Sequence, residues 1–243
     1  MKEWFVCSAA WFGTVGQWVA GMITLLAVLV AIFKDAYFDW WRRPILDIRI
    51  LGHAPDCAKA LVYIVNKATG DVLDRADCYW LRLWVSNVGR RGAEQVQVYL
   101  ASLSKQGSGG AYQPVPGFLP MNLLWAHSRP GEPEVFVKGI ASTMGRHCDL
   151  AHVVEPAKSE AFGADHAHAV LGQCTAILDL EAPPAIGSAR LIPGTYRLEL
   201  WVAASNASRI TRTVELTLRE RWSDDAAEMF GERFTARILH RTT

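Results

Sequence analysis

The stretch Tyr79-Trp-Leu-Arg-Leu-Trp-Val-Ser-Asn-Val-Gly89 decides the fold. Successive side chains of a β-strand point to opposite faces. Here Leu81, Leu83 and Val85 fall on one side and Trp80, Arg82 and Trp84 on the other. At helical spacing the same residues would mix around the axis, so the stretch reads as a half-buried strand closed by an Asn-x-Gly turn. The pattern returns further on, where Tyr196, Leu198, Leu200 and Val202 oppose Arg197, Glu199 and Trp201.

Strand-like runs also occupy Ile45 to Leu51, Leu61 to Val65, Glu94 to Leu103, Cys174 to Leu180 and Ile210 to Leu218, with turn chemistry such as Ser205-Asn-Ala-Ser-Arg209 between them. Many short alternating strands joined by hairpin-length links predict a mainly β chain folded as an antiparallel sandwich or barrel. A short helix is expected near the carboxy terminus, where Ser223 can cap Asp224 to Phe234. Lys105 to Gln173 breaks the pattern with Gly107-Ser-Gly-Gly110 and several prolines, and reads as a long insertion with one or two strands of its own, folded over the sandwich.

Before the strands comes a segment of another kind. Trp4 to Phe33 contains no Asp, Glu, Lys or Arg, and Trp11 to Phe33, as a helix, would run about 35 Å, enough to cross a hydrocarbon core. Trp4, Phe5, Trp11 and Phe12 precede its aliphatic centre and Phe33, Tyr37, Phe38, Trp40 and Trp41 follow it, the arrangement of an interfacial aromatic belt. Pro44 ends the helix. The bulky, charged exit Phe33-Lys-Asp-Ala-Tyr-Phe-Asp is unlike a signal-peptidase site.

The chain is thus expected to comprise a membrane anchor and juxtamembrane helix, residues 1–43, and a β-sandwich domain, residues 44–243, with its insertion at about 105–173. Lys2 alone precedes the span and Lys34, Arg42, Arg43 and Arg49 follow it, which puts the domain in the cytoplasm by the Lys/Arg rule. Gly13, Gly16 and Ala20 stand at the spacing at which small residues let helices approach, a route to a homo-oligomer. The five cysteines are odd in number and form no C-x-x-C pair, so no disulfide framework is expected. Residues 44–243 carry 21 Lys/Arg against 21 Asp/Glu, which excludes the basic surplus of a nucleic-acid binder.

Tyr79 to Gly89, followed by Ala93-Glu-Gln-Val-Gln-Val-Tyr-Leu100 and by Ile192-Pro-Gly-Thr-Tyr-Arg-Leu-Glu-Leu200, resembles immunoglobulin-like sandwiches of the bacterial CARDB and fibronectin-III-like kind. In those, an N-x-G turn and a P-G-T-Y strand start recur. The resemblance covers about 60 residues and implies a partner-binding fold. The whole layout, an amino-terminal anchor and then Arg-Pro-x-Leu-x-Ile, also resembles uncharacterised bacterial single-pass inner-membrane proteins, some tied to stress or phage defence.

Catalytic signatures are sparse. His147, Cys148, Asp149, His152, Asp165, His166, His168 and Cys174 gather zinc-compatible side chains but at no recognised ligand spacing, so neither metal nor cofactor is expected. No G-x-S-x-G elbow occurs, Trp125-Ala-His127-Ser128 is a bare adjacency, and Gly107 to Gly110 lacks the Lys-Ser/Thr of a phosphate loop. No catalytic residues are assigned. Trp and Arg are enriched at interface hot spots, and the outward Trp80, Arg82, Trp84, Arg197 and Trp201 are the candidate partner-binding residues. The expected function is a non-catalytic, membrane-anchored protein-interaction module with an unknown protein partner. The alternative is a membrane-anchored sensor or effector for a small nucleotide signal that oligomerises through its helix.

Overall fold

In the computed structural model, residues 3–65, 69–128, 134–158, 173–182 and 189–239 are described. The chain divides into two compact units, Met1–Arg43 and Pro44–Thr243. The first contains one helix, α1 (Glu3–Arg42). Its segment Gly16–Lys34, with a mean hydropathy of 2.1, is long and apolar enough to cross a membrane. Pro44 follows directly after Arg43, and proline bars its predecessor from helical geometry.

The second unit is mainly β and consists of two antiparallel sheets. The first holds β1 (Leu46–Arg49), β2 (Cys57–Val65), β3 (Val72–Asn87), β8 (Gly145–Val154), β9 (Ala176–Leu178) and β10 (Arg190–Leu191), in the order β1-β3-β8-β9-β10 with β2 also paired to β3. The second runs β13-β12-β11-β4-β5, with β6 and β7 also paired to β4. Its members are β4 (Ala93–Gln106), β5 (Tyr112–Pro114), β6 (Met121–Asn122), β7 (Val137–Ile140), β11 (Gly194–Ala204), β12 (Ala207–Leu218) and β13 (Phe234–Leu239). One core joins the sheets. Leu81, Leu83, Val85, Leu150 and Leu178 meet Val98, Leu100, Leu198, Leu200, Val202, Val214 and Leu216, all buried. The alternation of Tyr79 to Gly89 is realised: Leu81, Leu83 and Val85 are buried while Trp80, Arg82 and Trp84 are partly exposed.

The Asn-x-Gly turn is a structural clip. Asn87 is fully buried; its amide donates to the carbonyls of Arg91 and Ile140, and its side-chain oxygen accepts from the N–H groups of Ile45 and Gly89. One side chain thereby ties the start of β1, the end of β3 and β7.

Two expectations need correction. The described residues of 105–173 do not form an insertion folded over the sandwich: β5, β6 and β7 extend the second sheet along β4, and β8 is an interior strand of the first, between β3 and β9. The short strands have too few residues to show a period. In β8 the period is interrupted by a bulge opposite Leu81/Arg82, which leaves four consecutive residues, Cys148 to Ala151, buried. The expected helix over Asp224 to Phe234 is also shorter. Asp225 rather than Ser223 caps it, α2 spans Ala226–Glu228, a π-helical turn follows at Met229–Arg233, and Phe234 opens β13. Burial decides this: Met229, Phe230 and Phe234 close the end of the core around Tyr79, whose ring meets Phe230 edge-on at 5.2 Å and Trp222 at 4.7 Å.

Candidate functional site

The outer face of the first sheet carries a row of cross-strand pairs. The registers of β3 and β8 set Trp80 opposite His152, Arg82 opposite Asp149 and Trp84 opposite His147. Residues 147, 149 and 152 are not evenly spaced by two. The bulge at Leu150 supplies the missing residue, turning Leu150 into the core and all three polar side chains outward. The Trp80 indole lies 4.5 Å from the His152 ring, tilted by 31°; Arg82 Nε bonds Asp149 Oδ1 at 2.7 Å; and Trp84 meets His147 edge-on at 4.7 Å. Gly145 makes room for the Trp84 indole, since a Cβ at that position would collide with the indole. Arg49 lies over the same ring, 5.4 Å from its centroid.

A second tier holds this row. His147 Nε2 bonds Asp56 Oδ1 at 2.9 Å, and Asp56, fully buried, also accepts from the Leu51 N–H. His152 Nδ1 bonds Asp179 Oδ1 at 2.9 Å, while Asp179 Oδ2 is buried with no hydrogen-bond partner among the described residues. Burial works against a charged His152, but the Asp179 carboxylate more than offsets it and raises the imidazole above its ordinary range. Asp149 is also raised, first by burial and then by the nearby Asp179 charge, with Arg82 pulling the other way. Arg82, Asp149, His152 and Asp179 thus form one coupled charge cluster.

The five residues singled out from the sequence are not brought together. Trp80, Arg82 and Trp84 share the face just described. Arg197 and Trp201 lie on the outer face of the second sheet, across the core. There Trp201 stacks on Tyr99 at 5.7 Å, carries the Arg209 guanidinium 4.1 Å from its centroid, and donates its indole N–H to Glu199. Arg197 lies 3.8 Å over the Tyr112 ring. The Tyr112 hydroxyl donates to Glu215, which Arg237 also binds. Burial opposes its charge, but these bonds hold the Glu215 carboxyl below its ordinary range.

Beside Glu215 opens a basin of about 970 Å³. Thr195, Thr217 and Thr235, one from each of β11, β12 and β13, line up across it, and Arg219, Arg221, Arg233 and Arg237 surround them together with Glu215, Glu220 and Glu232. Gly13, Gly16 and Ala20 lie on α1; Gly16 and Ala20 are exposed, and a Cβ at Gly16 would meet nothing within 4 Å.

The remaining sequence candidates take structural roles or fall outside the described residues. Asp165, His166 and His168 are outside. His147 points outward, whereas Cys148 turns into the core and donates to the Leu124 carbonyl. Among the described residues no three His, Cys, Asp or Glu side chains converge as metal ligands. Ser128 donates to the Trp125 carbonyl and accepts from the Glu134 N–H, fixing a turn. Gly107 to Gly110 closes the β4–β5 hairpin, with Gly110 at φ 79. Cys57, Cys78, Cys148 and Cys174 are free and buried, and burial pushes the Cys57 and Cys174 thiols up to about 11, far from a reactive thiolate.

No protein-family model and no curated protein matches the chain.

Proposed function

We propose that the chain is a non-catalytic, membrane-anchored protein-interaction module whose partner seats on the outer face of the first sheet. The observation that carries this reading is the row Trp80, Arg82 and Trp84. Two half-buried indoles flank a guanidinium that is already neutralised by Asp149, and His147, His152 and Gly145 fix their positions. An anchor whose rotamers are set before binding loses little entropy on docking, and buried Trp and Arg supply most of the energy of typical interfaces. The helix Gly16–Lys34 supports membrane attachment. The excess of Lys and Arg after it supports residues 44–243 on the cytoplasmic side, and the resemblance to bacterial single-pass proteins of that layout supports an inner-membrane location and a role in stress or phage defence.

The test is a comparison of Trp84→Ala and Trp201→Ala in the detergent-solubilised full chain. Trp84→Ala is expected to abolish co-purification with the native partner while the melting temperature stays near wild type, and Trp201→Ala to leave the complex intact. Equal retention of the partner by both variants would refute the assignment.

The basin on the second sheet favours a second reading, a sensor for a small anion such as a nucleotide signal. Arg219 and Arg221 project there beside three threonine hydroxyls, groups suited to phosphate oxygens. Nucleotide titrations in which the double variant Arg219→Glu/Arg221→Glu abolishes binding would favour the sensor.

A further inference from the structure

The two sheets end in strands of very different length. β10 has two residues, β5 three and β1 four, and β13 has six with Arg237 exposed near its end. β2 has nine residues, Cys57 to Val65, and among the described residues it pairs with β3 alone. A long unpaired edge is a template for another strand, and soluble proteins usually guard such edges with charges, proline or a cover. The one charged residue in β2, Lys59, is turned back over its own sheet: its ammonium bonds Asp77 at 2.9 Å and the Asp224 carbonyl at 3.1 Å.

The free edge groups can be identified. The Asp56 carbonyl accepts from the Arg82 N–H, so it points at β3, whereas the Cys57 N–H turns away to His53. By the alternation of an antiparallel pair, the N–H and C=O of Lys59, Leu61 and Tyr63 therefore point to the open side. Around them the surface is apolar. Leu61 and Tyr63 are 50% and 59% exposed, and Val72 and Leu73, at the start of β3 in the same hairpin, are 60% and 65% exposed.

We propose that this edge pairs with itself: two copies of the chain join β2 to β2 in antiparallel fashion, with Leu61 on the two-fold axis, to make one continuous sheet. The edge is self-complementary in that register. Lys59 of one copy lies opposite Tyr63 of the other, Ala60 opposite Val62, and Leu61 opposite Leu61, so no like charges meet. On β3, Asp77 stands behind Leu61 and Arg75 behind Tyr63, which flanks each Tyr63 ring with Arg75 of its own chain and Lys59 of the other copy. A closed two-fold interface uses the same patch twice and cannot propagate into a fibre. This goes beyond the partner face on Trp80 to Trp84, and does not involve Gly13, Gly16 or Ala20.

The experiment uses the full chain in a Cys7→Ser background, reconstituted in liposomes at a low protein-to-lipid ratio and oxidised mildly. Cross-linked species are read on a non-reducing gel. Leu61→Cys is expected to give a covalent dimer several-fold more abundant than Leu119→Cys, an exposed position in the link between β5 and β6 of the other sheet. Adding Tyr63→Lys, which sets lysine against Lys59 of the other copy, is expected to remove the dimer. So is Tyr63→Pro, which deletes an edge N–H that β3 does not use; circular dichroism checks that both variants keep their strand content. Cross-linking of Leu61→Cys no stronger than that of Leu119→Cys overturns the proposal, as does a dimer that survives Tyr63→Lys in a folded chain.

Discussion

Asn87 and Gly145 show how single positions hold the faces in place. Four backbone groups depend on the Asn87 side chain. A buried group left without its partner costs about 1–3 kcal/mol, so Asn87→Ala should lower stability by about 3 kcal/mol or more in urea unfolding, with the serine variant recovering only part. Gly145→Ala should cost about 1–3 kcal/mol through overpacking against Trp84, and Trp84→Ala in the same chain should remove most of that penalty. Unfolding of the double variant that equals the sum of the singles would contradict the contact. The Asn-x-Gly signal was visible in the sequence because a turn is local. The His147, Asp149 and His152 row was not, because the bulge that aligns it is a response to β3 and leaves no period to read.

The charge cluster makes stability depend on pH. His152 and Asp149 are both raised in the folded state, so each contributes stability that is fully present below its unfolded value and is lost as pH rises through the folded one. For His152 the loss begins above about 6.5. Glu215 is lowered from its ordinary 4.5, so its contribution is present above that value and is lost as pH falls below it. Urea midpoints should therefore decline above about 6.5 as His152 loses its proton, while on the acid side the Glu215 loss is opposed by Asp149, whose raised carboxyl favours the fold as pH falls. In Asp179→Asn the alkaline decline should flatten, since the carboxylate that raises His152 is gone.

Among the elements, β13 makes the sharpest contrast with the sequence reading. Residues 224–234 have acids at their start and a possible serine cap, sound local grounds for a helix, yet only α2 and one π-helical turn form before Phe234 enters the second sheet. Tertiary burial overrides the local preference. Phe234→Ala should cost about 3–5 kcal/mol and is checked by thermal unfolding; a cost below 1 kcal/mol would mean that β13 does not close the core. The strands legible from the sequence are β1, β2, β3, β4, β9, β11 and β12, among them, β8 apart, all the long ones with one face in the core. β5, β6, β7 and β10 have two to four residues each, too few for a period to rise above chance.

For the whole molecule, alternation told which side chains leave the core but not by which sheet. Trp80 and Trp201 obey the same rule and end on opposite outer faces. Sheet membership depends on strand order, a long-range property that no local pattern encodes. A helix long and apolar enough to cross a membrane, by contrast, is legible because it needs only length and apolarity. Carbonate washing is expected to leave the full chain in the membrane fraction, and a carboxy-terminal alkaline phosphatase fusion is expected to be inactive while a fluorescent fusion at the same position is bright. Active phosphatase would reverse the orientation and place the edge of β2 and the Trp80 row outside the cytoplasm.

Covalent order gives the four residues of β1 a mechanical role. Any tension on the helix reaches the sheets through Pro44 and Ile45 into Leu46, which opposes Asn87 at the end of β3. The clip from Asn87 to the Ile45 N–H and the Val88 N–H bond to the Ile45 carbonyl take the load first. Once they part, Leu46 to Arg49 can peel from β3 one pair at a time while the other strands remain zipped. A pulling trace should show a small early rip before the main rupture, with Asn87→Ala lowering the force of that first event alone.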